Sequence, residues 1–111
     1  MKTAIIINNE SFGMGDDELG KKLLGAFLRK LWASEKLPDF IMCYNSGVKV
    51  ICKGSAVLDA LHGLCERGVD IIACGTCIDH YDLGNSIEVG RRSDMNEIVS
   101  IMMNYDKVIT V

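Results

Sequence analysis

Residues 69–77 read Val69-Asp70-Ile71-Ile72-Ala73-Cys74-Gly75-Thr76-Cys77. A short, mostly β-branched apolar run that does not alternate with polar residues is the pattern of a strand buried on both faces of a parallel sheet. Val69 to Ala73 is therefore expected to be such a strand, ending at Cys74-Gly75 with a helix opening near Cys77. Working outward, the same pattern recurs at 3–8 around Ile5-Ile6-Ile7, at 39–44 after Pro38, and at 106–110. Between these runs the apolar period lengthens to that of helices. Leu19, Leu23, Phe27 and Leu31 recur every four residues with Leu24 and Leu28 beside them, which predicts a helix over 16–35. Asp16, Asp17 and Glu18 give its first turn the negative charge that a helix N-terminus favours. Gly20 and Gly25 within it each cost about 1 kcal/mol relative to Ala, a cost that close packing would offset. Val57, Leu58, Leu61, Leu64 and Cys65 mark a second helix, 55–67, closed by Gly68. Further helices are expected at 77–83 and 94–104, joined by a polar loop. Val48 to Cys52 fits a short strand and a helical turn equally.

Strands alternating with helices imply βαβ units, hence an α/β domain with a parallel sheet covered on both faces. No repeat or linker interrupts the chain, so 1–111 is read as one domain. A chain of 111 residues buries about two-thirds of its unfolded surface, enough for a core without disulfides. It is 49% hydrophobic and 24% charged, with a net charge of −3. Its scattered basic residues offer nucleic acid no electrostatic footprint. No apolar run approaches the roughly 20 residues that span a bilayer, so no membrane is expected. Met1-Lys2-Thr3 leads straight into a strand with no secretory signal, and five cysteines make no secreted framework. Reduced thiols in a cytoplasmic protein are the expectation.

Cys74 and Cys77 are the candidate reactive residues. Ligands of open α/β sheets bind outside the carboxyl ends of the strands. A thiol near a helix N-terminus can have a pKa of roughly 3.5–7.5 instead of about 8.5. Gly75 lets the backbone approach a ligand. The chemistry suggested is nucleophilic: one thiolate attacks a sulfane sulfur or a disulfide, and the second thiol resolves the adduct. Cys43, Cys52 and Cys65 are read as core thiols. One CxxC supplies two of the four ligands of structural zinc, and His62, His80 and Cys65 do not complete a second motif, so no metal is expected. His80 is read as a solvated helix residue or a modulator of the thiols. Gly13 and Gly15 lack the third glycine of a dinucleotide fingerprint, and the carboxylates behind them would repel phosphate. Asn8, Ser11, Gly13, Gly15 and Asn45, with Gly75, Thr76 and His80, are the candidate pocket residues, although capping and turn formation explain the polar ones as well. A thioredoxin-like arrangement fits poorly, because the motif comes late and the only proline is Pro38.

Taken together, the strand ending in Asn8-Asn9, the Gly15-Asp16-Asp17-Glu18-Leu19-Gly20 helix start, the Tyr44-Asn45-x-Gly47-Val48-Lys49 segment and Cys74-Gly75-Thr76-Cys77-x-Asp79-x-Tyr81 resemble the DsrE/DsrF-like sulfurtransferase family. Within it they resemble the DsrE-like domain of YedF-type selenium-metabolism proteins, over about 3–110. The resemblance implies a three-layer α/β/α domain with a mainly parallel five-stranded sheet, cytoplasmic sulfur-relay activity and oligomeric assembly. It makes Cys74 the reactive cysteine and Cys77 the additional thiol of CxxC members. YedF proteins usually carry a TusA-like module with a Cys-Pro motif. This chain has no Cys-Pro, so either a separate TusA-like protein supplies that part or the chain works without it.

The expected function is thus a persulfide carrier that needs no cofactor and exchanges sulfur, or selenium, with donor and acceptor proteins. The competing expectation is a non-catalytic module that binds a small ligand or partner while its thiols sense redox state. The apolar arc of 94–104, with Met95, Ile98, Val99, Ile101, Met102 and Met103, is wider than one sheet-facing stripe needs. It predicts a homo-oligomer.

Overall fold

Strands form at the four apolar runs, and a fifth forms where no apolar run exists. The computed structural model describes residues 1–111. In chain order it contains β1 (Thr3–Ile7), α1 (Asp17–Trp32), β2 (Phe40–Cys43), a 3-10 helix (Asn45–Ile51), α2 (Leu58–Glu66), β3 (Asp70–Cys74), α3 (Gly75–His80), β4 (Arg91–Ser93), α4 (Met95–Asn104) and β5 (Lys107–Thr110). All strands are parallel, in the order β4-β3-β2-β1-β5.

This order places the helices. From β1 to β4 the chain steps steadily toward one edge, so right-handed crossovers put the intervening helices on a single face. The return from β4 to β5 runs the other way, and the same handedness puts α4 on the opposite face. The core divides accordingly. Ile5, Ile7, Ile41, Cys43, Ile71 and Ala73 meet the buried sides of α1, α2, α3 and the 3-10 helix. Their alternates Ala4, Ile6, Met42, Ile72 and Cys74 meet Ile98 and Ile101 of α4. The three layers of the α/β/α expectation are present, with one layer made by a single ten-residue helix.

Three readings of the sequence are corrected and one left open is settled. The polar loop contains β4, whose Arg91-Arg92-Ser93 pairs with Ile72, Ala73 and Cys74. This edge strand has exposed arginines and is held by ladder bonds and ion pairs in place of burial. Arg91 bridges Asp70 on β3 (3.0 Å) and Glu97 on α4 (2.7 Å). The ambiguous stretch at 48–52 lies largely in the 3-10 helix, with Cys52 bridging Ile87. On α1 the buried face is Gly20, Leu24, Gly25 and Leu28, while Leu19 and Leu23 are exposed. Gly20 lies against the Ser11 side chain, which a Cβ would strike at 1.7 Å. Close packing on a loop, not on the sheet, accounts for that glycine. Lastly, the helix expected at 77–83 is α3, beginning at Gly75 and ending at His80.

Candidate functional site

The earlier start of α3 changes the setting of the thiols. Cys74 is both the last residue of β3 and the cap of α3, and Cys77 falls within the helix's first turn. The Cys74 side chain points to the α4 face and is only 3% exposed; Cys77 is half-buried. Cys77 packs against the apolar cluster that contains Cys74. Burial pushes the Cys77 thiol up, the neighbouring Cys74 sulfur adds to this, and the Asn45 N–H opposes it.

Asn45 donates that N–H to Cys77 Sγ at 3.1 Å. It does so from the left-handed region, with φ 52°, a conformation that asparagine tolerates better than most residues. Tyr81 donates its hydroxyl to Asn45 Oδ1 at 3.1 Å, and the Lys49 ammonium lies 4.6 Å from the centre of the Tyr81 ring. Tyr81 thus braces the residue that contacts the second thiol. The remaining cysteines lie apart from this arrangement. Burial pushes the Cys43 thiol up to about 12 and also raises Cys52 and Cys65.

Beside the thiols, a cleft of about 300 Å³ opens over the carboxyl ends of β1, β2 and β5. Strand order reverses between β1 and β5, which is where open α/β sheets place ligands. Asn8, Ser11, Gly13 and Asn45 line it, as do Asn9, Met14, Tyr44 and Val111. Ser11 is buried and donates its hydroxyl to Asp17 O at 3.1 Å, so it fastens the start of α1. Gly15 and Thr76 are exposed and outside the cleft, and His80 is exposed with its ring edge-on to Tyr81. Gly75 is buried beneath Arg92: a Cβ there would sit 2.9 Å from Arg92 Nε. The thiol pair and the cleft meet at Asn45. No three His, Cys, Asp or Glu side chains are grouped as a metal site requires.

Arg92 is the residue here that sequence reasoning did not single out; Asp79 and Tyr81 stood in the quoted motif without a role. Arg92 makes two hydrogen bonds to Asp79, at 2.8 and 2.7 Å. The spacing from Cys74 to Asp79 was visible in the chain, but Arg92 joins only through β4.

No family profile matches the chain, and neither does any curated protein. Solved structures do match in fold. YchN from E. coli superposes with a TM-score of 0.69 at 17% identity, over 100% of both chains. A protein of unknown function from Methanobacterium thermoautotrophicum, MTH1491, gives 0.72 at 22% identity over 99% of this chain and 98% of its own. BT1422 from Bacteroides thetaiotaomicron, also of unknown function, gives 0.66 at 13% over 99% and 95%. This chain has the fold of YchN.

Proposed function

We propose that the protein is a persulfide carrier. The observation that carries this reading is the pair of thiols, Cys74 at the end of β3 and Cys77 in the first turn of α3, at the carboxyl edge of the sheet beside an open cleft. The Cys74 thiolate attacks the outer sulfur of a donor persulfide, forming Cys74–S–SH and releasing the donor's thiolate. A partner thiolate then takes the outer sulfur. Alternatively, Cys77 attacks the inner sulfur, leaving a Cys74–Cys77 disulfide and hydrosulfide; an external thiol reductant resets the pair. Selenium follows the same route if the donor carries it. No organic cofactor or metal enters these steps. The donor and acceptor are proteins of a cytoplasmic relay, among them a separate TusA-like partner, and the carrier acts as a homo-oligomer. No helix is long and apolar enough to cross a membrane.

A second reading has its own support. The cleft is lined by three asparagines and not by the thiols, which suits a module that binds a small polar ligand while the thiols sense redox state. Intact mass after incubation with a sulfane-sulfur donor separates the two. A carrier gains one sulfur atom, removable by dithiothreitol; a binding module gains none.

A further inference from the structure

Cys77 in α3 and Tyr81 at its C-terminal cap stand four residues apart, which puts them on one face of the helix. Both meet Asn45, the first residue of the 3-10 helix. The Asn45 N–H reaches Cys77 Sγ at 3.1 Å, and its side-chain Oδ1 accepts the Tyr81 hydroxyl at 3.1 Å. The first N–H groups of a helix have no acceptor within it, and here one of them is spent on sulfur. Asn45 makes both contacts from a left-handed turn, with φ 52°. That conformation is costly for a residue with a Cβ, and a local side-chain hydrogen bond makes it tolerable. The Tyr81 ring is held in turn by the Lys49 ammonium, which also lies 3.9 Å from Glu10.

We propose that Tyr81 and Asn45 are positioning residues for the resolving thiol: the phenol anchors Asn45 in its left-handed turn, and the N–H so presented steadies the negative charge of Cys77. This deepens the carrier reading and rests on it. In internal release the Cys77 thiol first gives its proton to water. The thiolate then attacks the inner sulfur of the Cys74 persulfide, forming the disulfide and expelling hydrosulfide. Burial and the Cys74 sulfur on β3 both disfavour that thiolate, and the Asn45 N–H is the contact that favours it. The charged groups of the neighbouring elements are engaged elsewhere. Lys49 of the 3-10 helix lies over Tyr81, and Arg92 of β4 is bonded to Asp79 of α3. Glu97 of α4 is bonded to Arg91 and Ser93. Tyr44, after β2, packs against the same apolar cluster as Cys77, and His80 sets its ring edge-on to Tyr81. The hydrogen bond that Cys77 Sγ accepts comes from the Asn45 backbone.

The test is the rate at which limiting iodoacetamide alkylates Cys77, followed by peptide mapping over a pH series, in wild type, Tyr81→Phe, Asn45→Ala and Asn45→Gly. Losing one hydrogen bond to an ionised group moves a pKa by about one unit. Tyr81→Phe and Asn45→Ala should each move the pH midpoint of Cys77 alkylation up by about that much. At a fixed pH below the midpoint, the rate should fall about tenfold. Asn45→Gly lacks the anchor but enters the left-handed turn freely, so its midpoint should lie between those of wild type and Asn45→Ala. A midpoint unmoved in both Tyr81→Phe and Asn45→Ala overturns the proposal. So does a rate that changes equally at every pH, which is the mark of altered access alone, or an Asn45→Gly midpoint no lower than that of Asn45→Ala. Thermal melts establish which variants are folded, and if Asn45→Ala is not, Tyr81→Phe decides. Alkylation reports ionisation whether or not the protein carries sulfur. Shifted midpoints in a protein that never gains sulfur would sink the carrier reading alone, and a loading protein without them would sink the roles of Tyr81 and Asn45 alone.

Discussion

Cys77 is held protonated by its surroundings, and this sets a pH dependence. Its folded-state pKa is raised, first by burial and then by the Cys74 sulfur against it. At neutral pH it is the thiol, unable to attack a persulfide on Cys74. Internal release should therefore be slow near neutrality and keep accelerating as pH rises past the ordinary thiol range of about 8.5. Hydrosulfide release from loaded protein, measured without added thiol across a pH series, checks this; a rate that is flat with pH contradicts it. At this scale the thiols were legible because their spacing and strand-end place are properties of adjacent residues. Arg92 was not, because its link to Gly75 and Asp79 exists only after β4 has paired with β3. His80 and Thr76 were adjacent in sequence to the thiols, yet the turn of α3 points both into solvent.

Among the elements, β1, β2 and β3 were readable because burial on two faces leaves a continuous apolar run. β4 left no such trace, being an edge strand fastened by Arg91 to Asp70 and Glu97. The α1 stripe was read one position off because glycine does not register as apolar, and Gly20 and Gly25 are on the buried face. Helix contacts of this kind are sensitive to added volume. Gly63 of α2 faces Trp32 at the end of α1, and a Cβ there would fall 2.0 Å from the indole ring. Gly63→Ala gains helix propensity, but overpacking should leave it about 1–3 kcal/mol less stable. The indole, the only one in the chain, should turn further into water. A lower melting temperature together with a red-shifted tryptophan emission is the expected result.

For the whole molecule, the layers carry unequal loads. Three α-helices and the 3-10 helix cover one face of the sheet, and α4 alone covers the other. Ile98 and Ile101 of α4 are buried, yet Met95, Val99 and Met103, spaced four residues apart on the same helix, are 50%, 48% and 78% exposed. The proposed homo-oligomer places a second copy on this stripe. Light scattering at micromolar concentration should give a dimer or trimer, and Val99→Glu should give a folded monomer. A monomeric wild type contradicts the assembly. Alternating strands and helices made the α/β class legible, but the strand order did not follow from them, because nothing local says that β5 returns beside β1.

The carrier reading is tested most directly by mass spectrometry of the Cys74→Ser and Cys77→Ser variants after exposure to a sulfane-sulfur donor. Cys74→Ser, with no ionised sulfur at position 74, should gain no mass. Cys77→Ser should load one sulfur, mapped to Cys74, and keep it longer than wild type when no partner thiol is present, since the resolving thiol is gone. Loading that survives Cys74→Ser and disappears with Cys77→Ser, in variants that melt as folded proteins, would contradict the account and make Cys77 the nucleophile.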